Sequence, residues 1–183
     1  MTLTLQIPRL ETERLILRAP ELSDFDVMCE FYASERATYV GGQMKPEQVW
    51  RHLACEIGHW HMLGYGRWMV DEKSTGKVAG NIGLWNPHGW PEPEIGWDLF
   101  EGFGGKGYAT EAATAARSFA YDVLSWDTVI SLVNPENHAS RAVAKRLGAR
   151  RDGDYTHPRL GTLELWRHLS PAEVTDGGME AYA

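Results

Sequence analysis

The apolar positions change period several times along the chain, and each change marks an element. Leu15, Ile16 and Leu17, set between Arg14 and Arg18, read as a first strand. Phe25, Met28, Cys29 and Tyr32 follow at helical spacing, with Ser23 as N-cap and Asp26 three residues on, so a helix is expected to about Arg36. Gly41 and Gly42 break the chain. Pro46 suits a first helical position, and Val49, Trp50, Leu53, Ile57 and Trp60 mark one face of a second helix that Gly64 ends. The period then turns strand-like. Arg67 to Glu72 and Lys77 to Trp85, joined through Ser74-Thr75-Gly76, read as a hairpin. Gly80 and Gly83 inside it point to a bulge or a close backbone approach. Residues 86–93 form a rigid aromatic loop before a strand from Glu94 to Leu99.

A turn dense in glycine (Gly102, Gly104, Gly105, Gly107) leads from that strand into a helix with Tyr108, Ala112, Ala116 and Phe119 on one face. Thr128 to Val133 is a β-branched strand. Asn134 to Asn137 is a turn, and Ala139 to Leu147 a short helix closed by Gly148. Strands are expected near Arg150 to Tyr155 and Thr162 to Leu169. Residues 1–10 read as an arm and the last dozen residues as a loose tail. The order is β-α-α-β-β-β-α-β-α-β-β, an α/β domain on one mixed sheet, spanning the chain with no linker or repeat.

Composition changes little in this picture. The 183 residues suit one domain, with 43% hydrophobic and 23% charged residues. A net charge of −7 argues against a nucleic-acid partner. The two cysteines, Cys29 and Cys55, sit in apolar helical patterns and read as buried free thiols, with no zinc or other metal-ligand spacing. No signal peptide and no membrane-spanning stretch is read, so a cytoplasmic location is expected.

The glycine turn carries the candidate chemistry. A strand-to-helix turn of this kind leaves backbone N–H groups bare at a helix N-terminus, where they cradle phosphate oxygens. A P-loop is excluded, because Lys106 is followed by Gly107 and not by Ser or Thr. Gly102, Gly104 and Gly107 match a G-x-G-x-x-G dinucleotide fingerprint. The strands before it form a hairpin, however, and the next strand ends at Val133-Asn134 without an acid, as a nicotinamide site would not.

The same segment resembles the pyrophosphate-binding motif of the GNAT N-acetyltransferases, Arg/Gln-x-x-Gly-x-Gly/Ala. The six positions fall on Gly104, Gly105, Lys106, Gly107, Tyr108 and Ala109, and Thr110-Glu111-Ala112 continues it. LETERLILRAPELSDFD resembles the family's opening strand and helix, GKVAGNIGLW and EIGWDL its central strands, and NPENHASRAVAKRLGAR its late motif. The likeness runs from about Leu10 to Leu169 and is nearest to the RimJ/RimL-like branch. It implies a single GNAT-type domain with a mixed, mostly antiparallel sheet, splayed central strands and acetyl-CoA as co-substrate. The acceptor would be a primary amine, on a protein N-terminus or a small molecule. At the first motif position Gly104 replaces the usual Arg or Gln; Lys106 could restore the charge or simply be solvated.

The resemblance further implies that Trp97, Asp98 and Leu99 hold the pantetheine arm through backbone groups, and that the amides of Gly104 to Ala109 hold the pyrophosphate. A strand amide near Leu99 would stabilise the oxyanion. Asn137 matches a cofactor-contacting asparagine and Ser140 a thiolate donor; as local residues they would be a helix N-cap and a first-turn serine. Glu94, which shares a sheet face with Gly96 and Asp98, is the candidate base, with a raised pKa and a water relay. It could equally bind a cationic acceptor. His88, His157 and Glu164 are alternatives for the base. Tyr39, Trp50, Trp60, Tyr65, Trp68, Trp85 and Trp90 would supply an aromatic acceptor wall. Two other readings stay open: a non-catalytic acyl-CoA-binding module and a nicotinamide-dependent oxidoreductase. A homodimer is also open, since an exposed late strand could pair two chains.

Overall fold

The computed structural model describes residues 6–175. Its strands are β1 (Leu10–Glu11), β2 (Leu15–Arg18), β3 (Arg67–Glu72), β4 (Val78–Trp85), β5 (Glu94–Leu99), β6 (Ile130–Val133), β7 (Arg150–His157) and β8 (Gly161–Arg167). They form one eight-stranded sheet in the order β1-β2-β3-β4-β5-β6-β8-β7. Every neighbouring pair is antiparallel except β5–β6. The helices are α1 (Phe25–Ala33), α2 (Pro46–Leu63), α3 (Tyr108–Asp122), α4 (His138–Arg146) and α5 (Pro171–Thr175).

Alternation along β3 divides the core. Trp68 and Val70 pack with the alanine face of α3, which is buried at Ala109, Ala112, Ala113, Ala116 and Ala120. Small side chains let that helix lie close on the strands, and Trp68 meets Phe119 edge-on at 5.3 Å. Met69, on the opposite face, packs with Met28, Phe31 and Tyr32 of α1, Val49 and Leu53 of α2, and Phe100. Arg67, Asn81 and Asp98 share this second face by the two-residue period of a strand.

Several expectations are corrected. The entry to α1 is organised by Asp24, not Ser23: its carboxylate accepts the Glu21 N–H at 2.8 Å and pairs with Arg18 at 2.7 Å. The helix stops at Ala33 rather than Arg36, because Ser34 is extended and its hydroxyl donates to the Phe31 carbonyl at 2.6 Å while accepting from the Arg36 N–H. A short 3-10 turn, Glu35–Tyr39, follows and carries Arg36 and Tyr39 toward the C-terminal end of β5. The arm is in part a strand: β1 pairs with β2, and the Pro8 carbonyl accepts the Trp68 indole N–H at 2.7 Å. The start of the expected tail is helix α5; the rest of it lies outside the described residues. Cys29 is half-buried and Cys55 exposed, so neither is a buried thiol. The bulge expected near Gly80 is present, as a register shift opposite Val70/Asp71.

Candidate active site

Strand β5 pairs with β4 along its whole length, from Trp85↔Glu94 to Gly80↔Leu99, but with β6 only at Glu94↔Ile130. The Ser131 hydroxyl donates to the Ile95 carbonyl at 2.7 Å, and beyond that point the two strands part. Backbone groups alternate in direction along a strand. Ile95 faces β6, so Trp97 and Leu99 also direct their N–H and C=O groups into the gap. Asp98 does not: a Cβ on Gly80 would stand 2.2 Å from the Asp98 carbonyl oxygen, which therefore faces β4. Of the three, only Trp97 and Leu99 turn their backbone groups into the gap. Asp98 contributes its carboxylate, on the α2 side.

The gap opens into a cleft of about 720 Å³ lined by Trp97, Leu99, the glycine turn and the N-terminal part of α4. Gly105 and Gly107 have φ of +76° and +82°, a left-handed backbone that favours glycine. Gly107 caps α3 without a side chain, so the first amides of the helix face the cleft bare. Gly104, Gly105, Gly107 and Ala109 all line it. The Lys106 and Tyr108 side chains do not. The Lys106 ammonium is 3.2 Å from Glu72 and lies over the Phe103 ring, and the Tyr108 hydroxyl donates to Glu72 at 2.6 Å. Lys106 thus places its charge on Glu72 and not at the position Gly104 leaves open.

A second cavity of about 390 Å³ lies on the other side of the gap. The two share Tyr39, Val40, Trp97, Asp98, Asn137 and Ser140. Asn137 is the N-cap of α4, its Oδ1 accepting the Ser140 N–H at 3.1 Å, and it faces both cavities. The Ser140 Oγ accepts the Trp97 indole N–H at 3.2 Å, which leaves the serine proton free to donate elsewhere. Of the expected aromatic wall, Tyr39, Trp85 and Trp90 line this cavity. Trp60 and Trp68 are core, Trp50 packs on Phe25, and Tyr65 packs on Trp126. His88 is exposed at the cavity. His157 is buried, with Nδ1 accepting the N–H groups of Arg159 and Leu160. Glu164 lines neither cavity; it accepts from Trp166 at 3.0 Å and pairs with Arg141 and Arg151.

A buried charge cluster forms the floor, and most of it was not singled out by sequence reasoning. Arg67 donates to Asp98 and to the Asn81 carbonyl, both at 2.6 Å, and its guanidinium is 3.6 Å from Glu56. Glu56 also lies 3.4 Å from His52, whose Nε2 is 2.9 Å from the Tyr32 hydroxyl. Glu94 completes the floor: its Oε1 would be 3.3 Å from a Cβ on Gly96, so glycine at 96 leaves the carboxyl room. Burial pushes the Glu94 carboxyl up to about 7, against the pull of nearby Arg67. Burial raises Glu56 to about 7 as well, again opposed by Arg67, and lowers His52 to about 4. The one signal in the sequence was the His52–Glu56 pair at i, i+4 on the inward face of α2, where a charged residue among Val49, Leu53 and Trp60 is out of place.

The Acetyltransferase (GNAT) domain profile matches residues 14–150. The uncharacterized N-acetyltransferase YnaD of Bacillus subtilis is 35% identical over 145 residues, covering 78% of this chain and 82% of its own. An acetyltransferase crystal structure from Agrobacterium tumefaciens superposes with a TM-score of 0.82 at 39% identity, over 92% of this chain and 98% of that one. A ribosomal-protein-S5-alanine acetyltransferase of Vibrio fischeri shares the fold at a TM-score of 0.69 and 17% identity, over 90% and 98% of the two chains. The chain belongs to the GNAT acetyltransferase family.

Proposed function

We propose that the protein transfers an acetyl group from acetyl-CoA to a primary amine by direct attack in a ternary complex. The observation that supports this most is the meeting of the two cavities at Trp97, Asp98, Asn137 and Ser140. A thioester reaching the gap from the glycine loop and an amine reaching it from the aromatic cavity would touch there without a covalent enzyme intermediate. The amides of Gly104 to Ala109 hold the pyrophosphate, and the gap-facing backbone of Trp97 and Leu99 holds the pantetheine arm. Asn137 keeps its Nδ2 for the cofactor or a bound water. The acceptor is a small-molecule amine or a protein N-terminus, and Tyr39, Trp85 and Trp90 suit an apolar or cationic body.

The incoming ammonium loses a proton to Glu94. Trp97 lies three positions along the strand from Glu94, about 10 Å, so water carries the proton. The neutral nitrogen then forms a bond to the thioester carbon, and the Trp97 N–H, the gap-facing strand amide near Leu99, stabilises the oxyanion. The carbon–sulfur bond breaks with its electron pair on sulfur. The nitrogen, cationic once bonded to carbon, gives its second proton to water as sulfur departs. The Ser140 hydroxyl donates a hydrogen bond to the departing thiolate, which takes that second proton from the water. The products are the amide, the thiol and the proton first lost to Glu94.

Calorimetry with acetyl-CoA and NAD, and thiol release with a panel of primary amines and peptide N-termini, test this reading. Binding of NAD without acetyl-CoA overturns it. Acetyl-CoA binding with no turnover on any amine leaves an acyl-CoA-binding module. Because the base must be ionised, kcat/KM is expected to rise with pH through about 7. Glu94→Gln is expected to remove that limb and lower the plateau about 100-fold. Ser140→Ala is expected to lower kcat by about 10- to 100-fold with little change in acetyl-CoA affinity; an unchanged kcat removes Ser140 from the mechanism.

A further inference from the structure

We propose that Arg36 is the cationic phosphate contact of the cofactor cleft, standing over the glycine loop in the space that Gly104 leaves free. This rests on the acetyl-CoA reading above and adds a residue to it. Gly102, Gly105 and Gly107 lie in the left-handed region, with φ of +82°, +76° and +82°, and the loop needs glycine there. Gly104 is outside that region, so its backbone makes no such demand. A Cβ at Gly104 would meet one neighbour within 4 Å, the Arg36 Nη2 at 3.6 Å. A long side chain at 104 would enter the place the guanidinium now holds.

Arg36 is aimed by three contacts. Its Nε donates to the Leu99 carbonyl at 3.0 Å, at the C-terminal end of the splayed strand. Its Nη2 stands over Gly104. Its Nη1 is 3.6 Å from Glu101, whose side chain is 87% exposed. Anchoring through Nε leaves both terminal nitrogens directed at the loop, the geometry in which a guanidinium takes two oxygens of one phosphate. The Glu101 contact is long and solvated, so a phosphate would displace it at little cost. Besides Arg36, the charged residues lining the cleft are Glu35, Asp98 and Arg146. Asp98 is held by Arg67, and Lys106 is turned to Glu72. Arg146, on α4, is the other cation lining the cleft, with Nε 3.4 Å from the Thr110 hydroxyl. The 3-10 turn Glu35–Tyr39, which follows the early end of α1 at Ser34, is what delivers Arg36 to this point.

Binding of acetyl-CoA and of S-acetylpantetheine, which lacks the phosphates, tests the assignment by calorimetry. Arg36→Ala and Arg36→Gln are each expected to weaken acetyl-CoA about 10-fold or more and S-acetylpantetheine less than about twofold. The glutamine variant retains a donor for the Leu99 carbonyl, so its loss reads the charge and not the strand anchor. The double variant Arg36→Ala/Gly104→Arg is expected to recover most of the lost acetyl-CoA affinity. Glu101→Gln is expected to tighten acetyl-CoA about twofold. Equal weakening of both ligands, or unchanged acetyl-CoA binding in Arg36→Gln, overturns the assignment while the acetyl-CoA reading stands. Wild-type protein that does not bind acetyl-CoA overturns both.

Discussion

Replacing Arg67 by methionine is expected to lower stability by about 3–5 kcal/mol at neutral pH, because it strands buried carboxylates without their cation. Arg67 holds Asp98 at 2.6 Å and lies 3.6 Å from Glu56, and it also pulls on Glu94. Neither oxygen of Glu56 has a hydrogen-bond partner among the described residues, so the guanidinium is its main compensation. The loss has a signed pH dependence. Glu56 and Glu94 have carboxyls raised from 4.5 to about 7 by burial. The folded protein therefore binds more protons than the unfolded chain between these values. Their contribution to stability is fully present below about 4.5 and is lost as pH rises through about 7. Without Arg67 the raised values move further up, so the deficit is expected to be largest near pH 8 and to shrink toward pH 5. Urea unfolding of both proteins at the two pH values measures this. A deficit equal at pH 5 and pH 8 would show that Arg67 acts through packing and not as the counter-ion.

Gly80→Ala is expected to cost about 3 kcal/mol and to lower acetyl-CoA affinity at the same time. The added methyl would stand 2.2 Å from the Asp98 carbonyl oxygen and 3.3 Å from the Leu99 Cα. Both are backbone atoms of β5 and cannot swing aside as a flexible side chain would. Relief requires β5 to move away from β4, toward the gap proposed to take the cofactor arm. Thermal unfolding and acetyl-CoA calorimetry on the same preparation check the coupling. A stable variant with unaltered affinity would mean that β4 does not set the course of β5.

The glycine turn was legible because its requirement is local. Bare amides at a helix N-terminus need small residues and a left-handed backbone, and both are written in consecutive positions from Gly102 to Ala109. The hairpin, the alanine face of α3 and the glycine that ends α2 were legible for the same reason. The early end of α1 was not. Phe25, Met28, Cys29 and Tyr32 continue a helical period, and only the hydrogen bonds of Ser34 to Phe31 and Arg36 divert the chain. That local diversion supplied the residue now assigned to the phosphates, while Lys106, the nearer basic residue in sequence, pairs with Glu72.

By itself the sequence determined the order of elements from β2 to β8, the glycine turn after β5 and the family that order resembles. Each of these follows from spacing along a continuous stretch of chain. Tertiary structure alone decided which strand parted from its neighbour, which of Trp97, Asp98 and Leu99 turned its backbone into the gap, and which charges met on the cavity floor. Arg67, Glu56, Asp98 and Glu94 come from two strands, β3 and β5, and helix α2, which sequence spacing alone does not bring together. Their pKa values depend on burial and mutual distance, quantities that exist only once those elements have packed.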